Sequence, residues 1–372
     1  MLGQLVQHCI RDGVEPLGRV QCDRRDMVAD LVQDLRHGAD GTRLPRSVAM
    51  QNPLTFLGST ELNNLVPMHD AIDALRHCFA ARPTHLDRVH MHAGTSEVLV
   101  MPASTSTVAG IKMVGIQLAN AQRGLPVIQG AYLLFDGATG TPVAMFDGAA
   151  LTTLRTPAVS ALATNALARP DVTSHGIIGT GPQAAAHAVA IAAVRPAIAT
   201  VIVAGRNADR AQNVVDHLLK TGFNASIGTY RQAAACDVVS LATRSDVPLI
   251  AAADVRPGTH LNLVGAYRLD MREVAGDLVA ASVVVVDDLS AARAEAGDLH
   301  LAVTDGSWSW QRVAGDLADV ATGTVHRNDA TEITMFKSVG LAIQDLAIAE
   351  RAAMLAGLLS AHIPNDVDQD QQ

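Results

Sequence analysis

The sequence predicts an α/β protein built on two sheets of different kinds, and three observations predict it. Residues 175–178 form a short apolar run that enters Gly179-Thr180-Gly181-Pro182-Gln183-Ala184, a G-x-G-x-x-A turn, and an alanine-rich helix follows to about 194. About twenty residues on, a second apolar run at 201–204 precedes a helical stretch at 208–220, completing a strand–helix–strand unit. Upstream, between 88 and 146, short alternating runs separated by tight turns read as a mostly antiparallel sheet.

The elements follow in order. Residues 1–50 read as an N-terminal extension of unknown role, with a helical stretch at 24–36 and a polar segment at 37–46. A helix is expected at 67–81, then strands at 88–93, 97–101 and 110–117. Strands at 127–135 and 142–146 are joined by Asp136-Gly137-Ala138-Thr139-Gly140, a hairpin signal. A helix at 151–167 leads to Arg169-Pro170, a hinge. The nucleotide-binding domain is placed at 171–327, with further strands at 238–242, 259–264 and 282–287. The last is a continuous apolar run, as a parallel strand buried on both faces requires. Residues 335–358 read as helical and return to the first domain, so that 51–170 and 328–372 make up one discontinuous domain. The tail at 364–372 is polar and expected to be disordered.

Composition narrows the function. The chain has 372 residues, enough for two domains, and carries a net charge of −9 with no basic tract, so a nucleic-acid partner is not expected. No run of about 18 apolar residues predicts a membrane span. Residues 1–13 carry no basic-then-apolar signal pattern, and the expected location is cytoplasmic. Cys9, Cys22, Cys78 and Cys236 are widely spaced, which points away from a disulfide framework or zinc knuckle, and no metal site is expected. His90 and His92 alternate on one strand face, read as solvent-facing.

The two glycines of the Gly179–Ala184 turn let the backbone approach a pyrophosphate, and the helix start offers N–H groups and a positive dipole end. A bound dinucleotide is therefore expected at Gly179, Thr180, Gly181, Pro182, Gln183 and Ala184. A site for NAD usually has an acid at the end of the second strand; here that strand ends Ala204-Gly205-Arg206-Asn207. Arg206 suits a 2′-phosphate, so NADPH is preferred, with NADH as the alternative through Asp209 if the turn is longer. Thr243, just past the strand at 238–242, is placed to line the crevice at the strand ends.

The chain has three lysines, Lys112, Lys220 and Lys337. Lys220 suits a helix C-terminus. Lys337 is read at a helix start, against the dipole rule, where it holds an anion or faces solvent. Arg88, Lys112 and Arg155 are cations amid apolar sequence, costly unless each meets an anion. From the residues alone, they share one small carboxylate, form separate salt bridges or snorkel to solvent.

Several motifs, in order, resemble the ornithine cyclodeaminase/μ-crystallin family. They are Met101-Pro102-Ala103, Gly110-Ile111-Lys112, Gly124-Leu125-Pro126, Leu134-Phe135-Asp136, Thr139-Gly140, Leu151-Thr152 with Arg155-Thr156, Gly179 to Ala184, and Phe336-Lys337-Ser338. The resemblance covers about 56–356. It implies a Rossmann domain plus an α/β domain that binds substrate and dimerises through its sheet, so a homodimer is expected. It also implies that Arg88, Lys112 and Arg155 grip the carboxylate of a 2-amino or 2-imino acid beside a nicotinamide. Cyclodeaminases of the family carry an aspartate two residues after the glycine that matches Gly265; this chain has Tyr267 there, and Asp270 is the nearest substitute. A phenol with a pKa near ~10 does not supply that anion at neutral pH.

The expected activity is therefore NAD(P)H-dependent reduction of a small α-imino acid, a cyclic ketimine such as pyrroline- or piperideine-2-carboxylate, with Lys112 as the catalytic proton donor or charge stabiliser. The alternatives are an ornithine- or lysine-type cyclodeaminase, an amino acid or opine-type dehydrogenase, and, from another class, a non-catalytic NADPH-binding protein.

Overall fold

A computed structural model describes residues 54–82 and 86–359. The expected helix at 24–36, the extension at 1–50 as a whole and the tail at 364–372 lie outside the described residues. The chain starts with β1 (Thr55–Leu57), α1 (Ser59–Leu65) and α2 (Met68–Ala80). Five strands follow: β2 (Val89–Ala93), β3 (Ser96–Ser104), β4 (Val108–Ile116), β5 (Ile128–Asp136) and β6 (Pro142–Asp147). They form one sheet in the order β1-β6-β5-β4-β3-β2. Strands β2 to β6 run antiparallel in sequence, and β1 joins β6 in parallel. The β5–β6 turn closes because Asp136 Oδ1 accepts the N–H groups of Ala138 and Thr139 at 3.1 and 2.8 Å.

Period-two alternation decides which side chains of this sheet face inward. On β4, Val108, Gly110, Lys112 and Val114 are buried while Met113 is exposed. Register sets Lys112 opposite Met101 and Tyr132, so the three share the inner face. Helix α3 (Gly148–Leu167) comes next and starts ahead of the expected residue 151. The reason is Asp147, whose Oδ1 accepts from Ala149 and Ala150 N–H at 2.8 and 3.1 Å and caps the helix. This helix is buried nearly all round and packs against both sheets.

The second half alternates strand and helix. Its elements are β7 (Ser174–Ile178), α4 (Pro182–Val194), β8 (Thr200–Ala204), α5 (Ala208–Lys220), β9 (Ala225–Ile227), α6 (Tyr230–Ala234), β10 (Val238–Leu241) and β11 (His260–Leu263). Then come α7 (Gly276–Ala280), β12 (Ser282–Val286), α8 (Leu289–Glu295), α9 (Gly297–Thr304), β13 (Val313–Gly315), α10 (Leu317–Ala321), β14 (Ile333–Lys337) and α11 (Ala342–Leu355). The eight strands pair in parallel, in the order β13-β12-β14-β11-β10-β7-β8-β9. Strand order reverses between β7 and β10, and the crevice beyond their C-terminal ends is where such sheets bind ligands.

One expectation is corrected here. Residues 335–358 are not helical throughout: the segment opens as β14, between β11 and β12, and only α11 returns to the antiparallel sheet, where it packs on β3 and β4. The parallel sheet thus takes a strand from beyond residue 327. Lys337 consequently ends a strand rather than starting a helix, and it is fully buried. A short apolar run buried on both faces shows neither strand nor helix periodicity, which is why Ile333-Thr334-Met335-Phe336 reads ambiguously.

Buried imidazoles tie α3 to α4 and neighbouring strands of the parallel sheet to one another. His187 Nε2 lies 3.1 Å from Ser160 Oγ, His175 Nε2 lies 2.9 Å from Ser240 Oγ, and His260 Nδ1 lies 2.9 Å from Thr334 Oγ1. Burial, the largest cause, pushes the pKa of His175 to about 3, His187 to about 4 and His260 to about 3. All three are neutral at physiological pH.

Candidate active site

The turn after β7 sits at the strand-order reversal. Gly179 has φ +137°, and its N–H donates to Ala204 O at 2.9 Å. A Cβ there would meet Ala242 O, just past β10, at 2.6 Å, so only glycine fits. At Gly181 a Cβ would meet nothing within 4 Å, which leaves open space over the start of α4. Pro182, at the first helical position, has no N–H to leave unpaired, and no side chain caps this end. The positive end of the helix dipole is thus open to an anion. Thr180 packs against Gly205, where a Cβ would meet Thr180 Cγ2 at 2.5 Å. Ala184 is buried with Val201 and Val203. Gln183 Nε2 donates to Thr152 O at 3.3 Å and ties α4 to α3. These residues fit a dinucleotide pyrophosphate. Arg206, just beyond β8, is exposed and has no ion pair or hydrogen bond among the described residues. Asn207 caps α5 through Arg210 N–H at 2.8 Å, so Asp209 lies in the first turn of that helix and not at the strand end.

The three cations of the other half gather around one turn, residues 338–340, and the start of α11. Lys112 Nζ donates to Asp345 Oδ2 at 2.6 Å and to Thr152 Oγ1 at 3.4 Å. Arg155 Nη1 donates to Gln344 Oε1 at 2.8 Å, and its Nε stands 3.4 Å from Asp345 Oδ1. Arg88 Nη2 donates to the carbonyls of Gly340 and Val339 at 2.6 and 3.2 Å, and its Nε pairs with Glu295 Oε1 at 2.8 Å. Gly340 has φ +83°, and a Cβ on it would meet Arg155 Nη1 at 2.7 Å, so the backbone passes between the two guanidinium groups. Asp287 Oδ2 holds this turn by accepting from Ser338 Oγ, Val339 N–H and Gly340 N–H at 2.8, 2.9 and 2.8 Å.

Arg88, Lys112 and Arg155 pair with two carboxylates, Asp345 and Glu295, and a third, Asp287, holds the turn they surround. Lys112 is 2% exposed. Burial lowers its pKa to about 8, with Arg155 and Arg88 adding to the fall and Asp345 opposing it. A cleft of about 320 Å³, lined by Arg88, His90, Met101, Glu295 and Gly340 among others, opens beside the cluster. A larger cleft of about 620 Å³ between α2 and α11 is lined by none of the three cations.

Sequence reasoning missed the partners. Asp345 and Gln344 interrupt the apolar run Leu341-Ala342-Ile343 … Leu346-Ala347-Ile348, and the argument that singles out cations amid apolar residues applies equally to them. Glu295 and Asp287 carry no such local signal. A further cluster lies past β10 and β11. Thr243 donates its N–H and Oγ–H to Glu273 Oε1 at 2.7 and 2.8 Å, so its hydroxyl is already engaged. Lys337 pairs with Asp298 at 2.9 Å, both fully buried, which excludes a solvent-facing role for it. Tyr267 is half-buried in the turn after β11, and Asp270 spends both oxygens on Arg268, at 3.0 and 2.7 Å. Among the described residues there is no group of three metal-ligating side chains, and no helix is long and apolar enough to cross a membrane.

Residues 56–353 match the model of the ornithine cyclodeaminase/mu-crystallin family. The chain is 35% identical over 309 residues to a Delta(1)-pyrroline-2-carboxylate reductase of Paracoccus denitrificans, covering 81% of this chain and 97% of the relative. It is 31% identical to an alanine dehydrogenase of Archaeoglobus fulgidus, covering 79% and 92%. Among solved structures, the Delta(1)-pyrroline-2-carboxylate reductase of Thermococcus litoralis, in complex with NADH and L-proline, superposes with a TM-score of 0.78 at 30% identity, covering 82% of this chain and 97% of that one.

Proposed function

The chain belongs to the ornithine cyclodeaminase/mu-crystallin family, and from that premise we propose that it is an NAD(P)H-dependent reductase of a small α-imino acid. The substrate is a cyclic ketimine such as pyrroline- or piperideine-2-carboxylate, and the product is the L-amino acid. The observation that carries the reading is the convergence of Arg88, Lys112 and Arg155, largely buried, on one turn and the start of α11.

The dinucleotide, when bound, supplies the hydride. Gly179 to Ala184 cradle its pyrophosphate, and Arg206 pairs with a 2′-phosphate, so NADPH binds more tightly than NADH. Arg88 and Arg155 hold the substrate carboxylate and thereby fix the plane of the C=N bond. Lys112 donates the proton that the imine nitrogen takes as its carbon receives hydride; an ammonium with a pKa of about 8 is charged at neutral pH yet able to release a proton. Asp345 orients that ammonium at 2.6 Å. The half built on the antiparallel sheet binds substrate and forms a homodimer. The half built on the parallel sheet binds the dinucleotide.

The cyclodeaminase alternative needs an anion for a distal amine. Tyr267 does not provide one, and Asp270 is neutralised by Arg268. The test is absorbance at the NADPH band against preformed cyclic imines and against 2-oxo acids with amines, with ammonia measured from ornithine and lysine. Oxidation of NADPH on a cyclic imine is expected. Ammonia release from either diamine without net cofactor oxidation overturns the proposal.

A further inference from the structure

We infer that Glu273 is a positioning residue that sets the nicotinamide end of the dinucleotide site by holding the turns after β10 and β11 together. The inference rests on the dinucleotide reading given above. A doubly wound sheet has two mononucleotide halves on either side of the reversal. Here β7, β8 and β9 lie on the side of the phosphate turn and Arg206, which faces the adenosine half. The ends of β10 and β11 therefore floor the other half, where the reacting ring lies.

Both ends converge on one carboxylate. Glu273 Oε1 accepts Thr243 N–H and Oγ–H at 2.7 and 2.8 Å, from the turn after β10. Glu273 Oε2 accepts Gly265 N–H at 2.8 Å, from the turn after β11. A Cβ on Gly265 would run into Thr243 O and the Glu273 carboxylate, so the two turns pack backbone to backbone with the carboxylate between them. Glu273 is itself fixed: Asp298 Oδ1 accepts its N–H at 2.6 Å and that of Val274 at 3.1 Å. Lys337, the last residue of β14, pairs with Asp298 Oδ2 at 2.9 Å. Glu273, Asp298 and Lys337 are all fully buried. The ends of three adjacent central strands, β10, β11 and β14, are thus tied through one buried cluster.

The carboxylate is needed as such. Both its oxygens accept, whereas an amide accepts on one side only and turns an NH2 toward N–H donors on the other. Glu273→Gln should therefore disturb one turn while leaving the fold of the adenosine half intact. The test compares NADH with ADP-ribose, which lacks the nicotinamide ring, by fluorescence and calorimetric titration. In Glu273→Gln, NADH affinity should fall by about tenfold or more, the loss expected of a hydrogen bond to a charged group. ADP-ribose affinity should stay within about twofold, and the emission of bound NADH should shift. KM for NADH should rise with a smaller change in kcat. Thr243→Val, which keeps the backbone donor and removes the hydroxyl, should weaken NADH selectively by a smaller factor. Thr243→Ser should restore binding. This pair stands if Glu273→Gln does not fold. Equal losses for NADH and ADP-ribose, or no loss in either variant, overturn the inference. Failure of the unmodified protein to bind ADP-ribose at all would instead overturn the dinucleotide reading beneath it, and the inference with it.

Discussion

The behaviour of Lys112 depends on three neighbours. Its pKa of about 8 is the balance of burial and two arginines, which lower it, against Asp345, which raises it. If Lys112 donates the proton, kcat/KM for imine reduction falls as pH rises through about 8, because the ammonium is the active form and is lost above that value. Asp345→Asn removes the opposing charge, so the falling limb should move to lower pH; an unmoved limb would show that Lys112 is not the titrating group. Lys112→Arg should not restore activity to Lys112→Ala, because a guanidinium stays protonated and carries a larger fork. Arg206 makes a different kind of claim. It stands exposed beyond β8, and Arg206→Ala should remove most of the preference for NADPH, on the order of 1.5–3 kcal/mol for a charge-assisted pair. Equal affinity of the unmodified protein for NADPH and NADH would dispose of that assignment. The cations themselves were readable in the sequence because a charge in an apolar run announces a partner. Glu295, which pairs with Arg88, and Asp287, which holds the turn between the arginines, were not, since helix ends and strand ends carry such residues for many reasons.

At the scale of elements, those with a local punctuation mark were legible. The phosphate turn and the hairpin at Asp136 each combine a periodic run with a residue whose chemistry stops or starts it. Strands β9, β13 and β14 were not foreseen: the first two are three residues long, and β14 has no alternating face because both of its sides are buried. The role of Glu273 exists only once β10 and β11 lie side by side. Helix α3 and its neighbours predict a particular acid sensitivity. His175, His187 and His260 are held neutral with pKa values of about 3, 4 and 3, below the ordinary 6.5 of an unfolded imidazole. Between those values the unfolded chain binds protons that the folded one refuses. The stability contributed is therefore whole above pH 6.5 and is lost as pH falls toward about 3, at up to ~1.4 kcal/mol per pH unit for each imidazole. Urea midpoints measured from pH 7 to 4 should decline less steeply in His187→Gln than in the unmodified protein. Parallel declines would contradict this account of the cluster.

Among the described residues, the antiparallel sheet leaves an apolar row exposed. Register aligns Val89, Val100, Met113 and Ala131 in a row across β2, β3, β4 and β5, on the face opposite Lys112. Val89 is 53% exposed and Met113 49%. A row of this kind on an antiparallel sheet marks an association surface. Met113→Glu should shift the molar mass by light scattering from dimer to monomer while dinucleotide binding persists; a monomeric unmodified protein would remove the homodimer from the proposal. The central claim spans both halves: Arg88 and Arg155 hold the carboxylate of an imine whose hydride comes from a dinucleotide on the other sheet. The measurement that tests it most directly is kcat/KM for one cyclic imine in Arg88→Ala and Arg155→Ala, with NADPH titrated alongside. Each variant should lose about 2–5 kcal/mol of transition-state stabilisation while its affinity for NADPH hardly changes. Full activity in Arg155→Ala would contradict the shared carboxylate site and the function built on it.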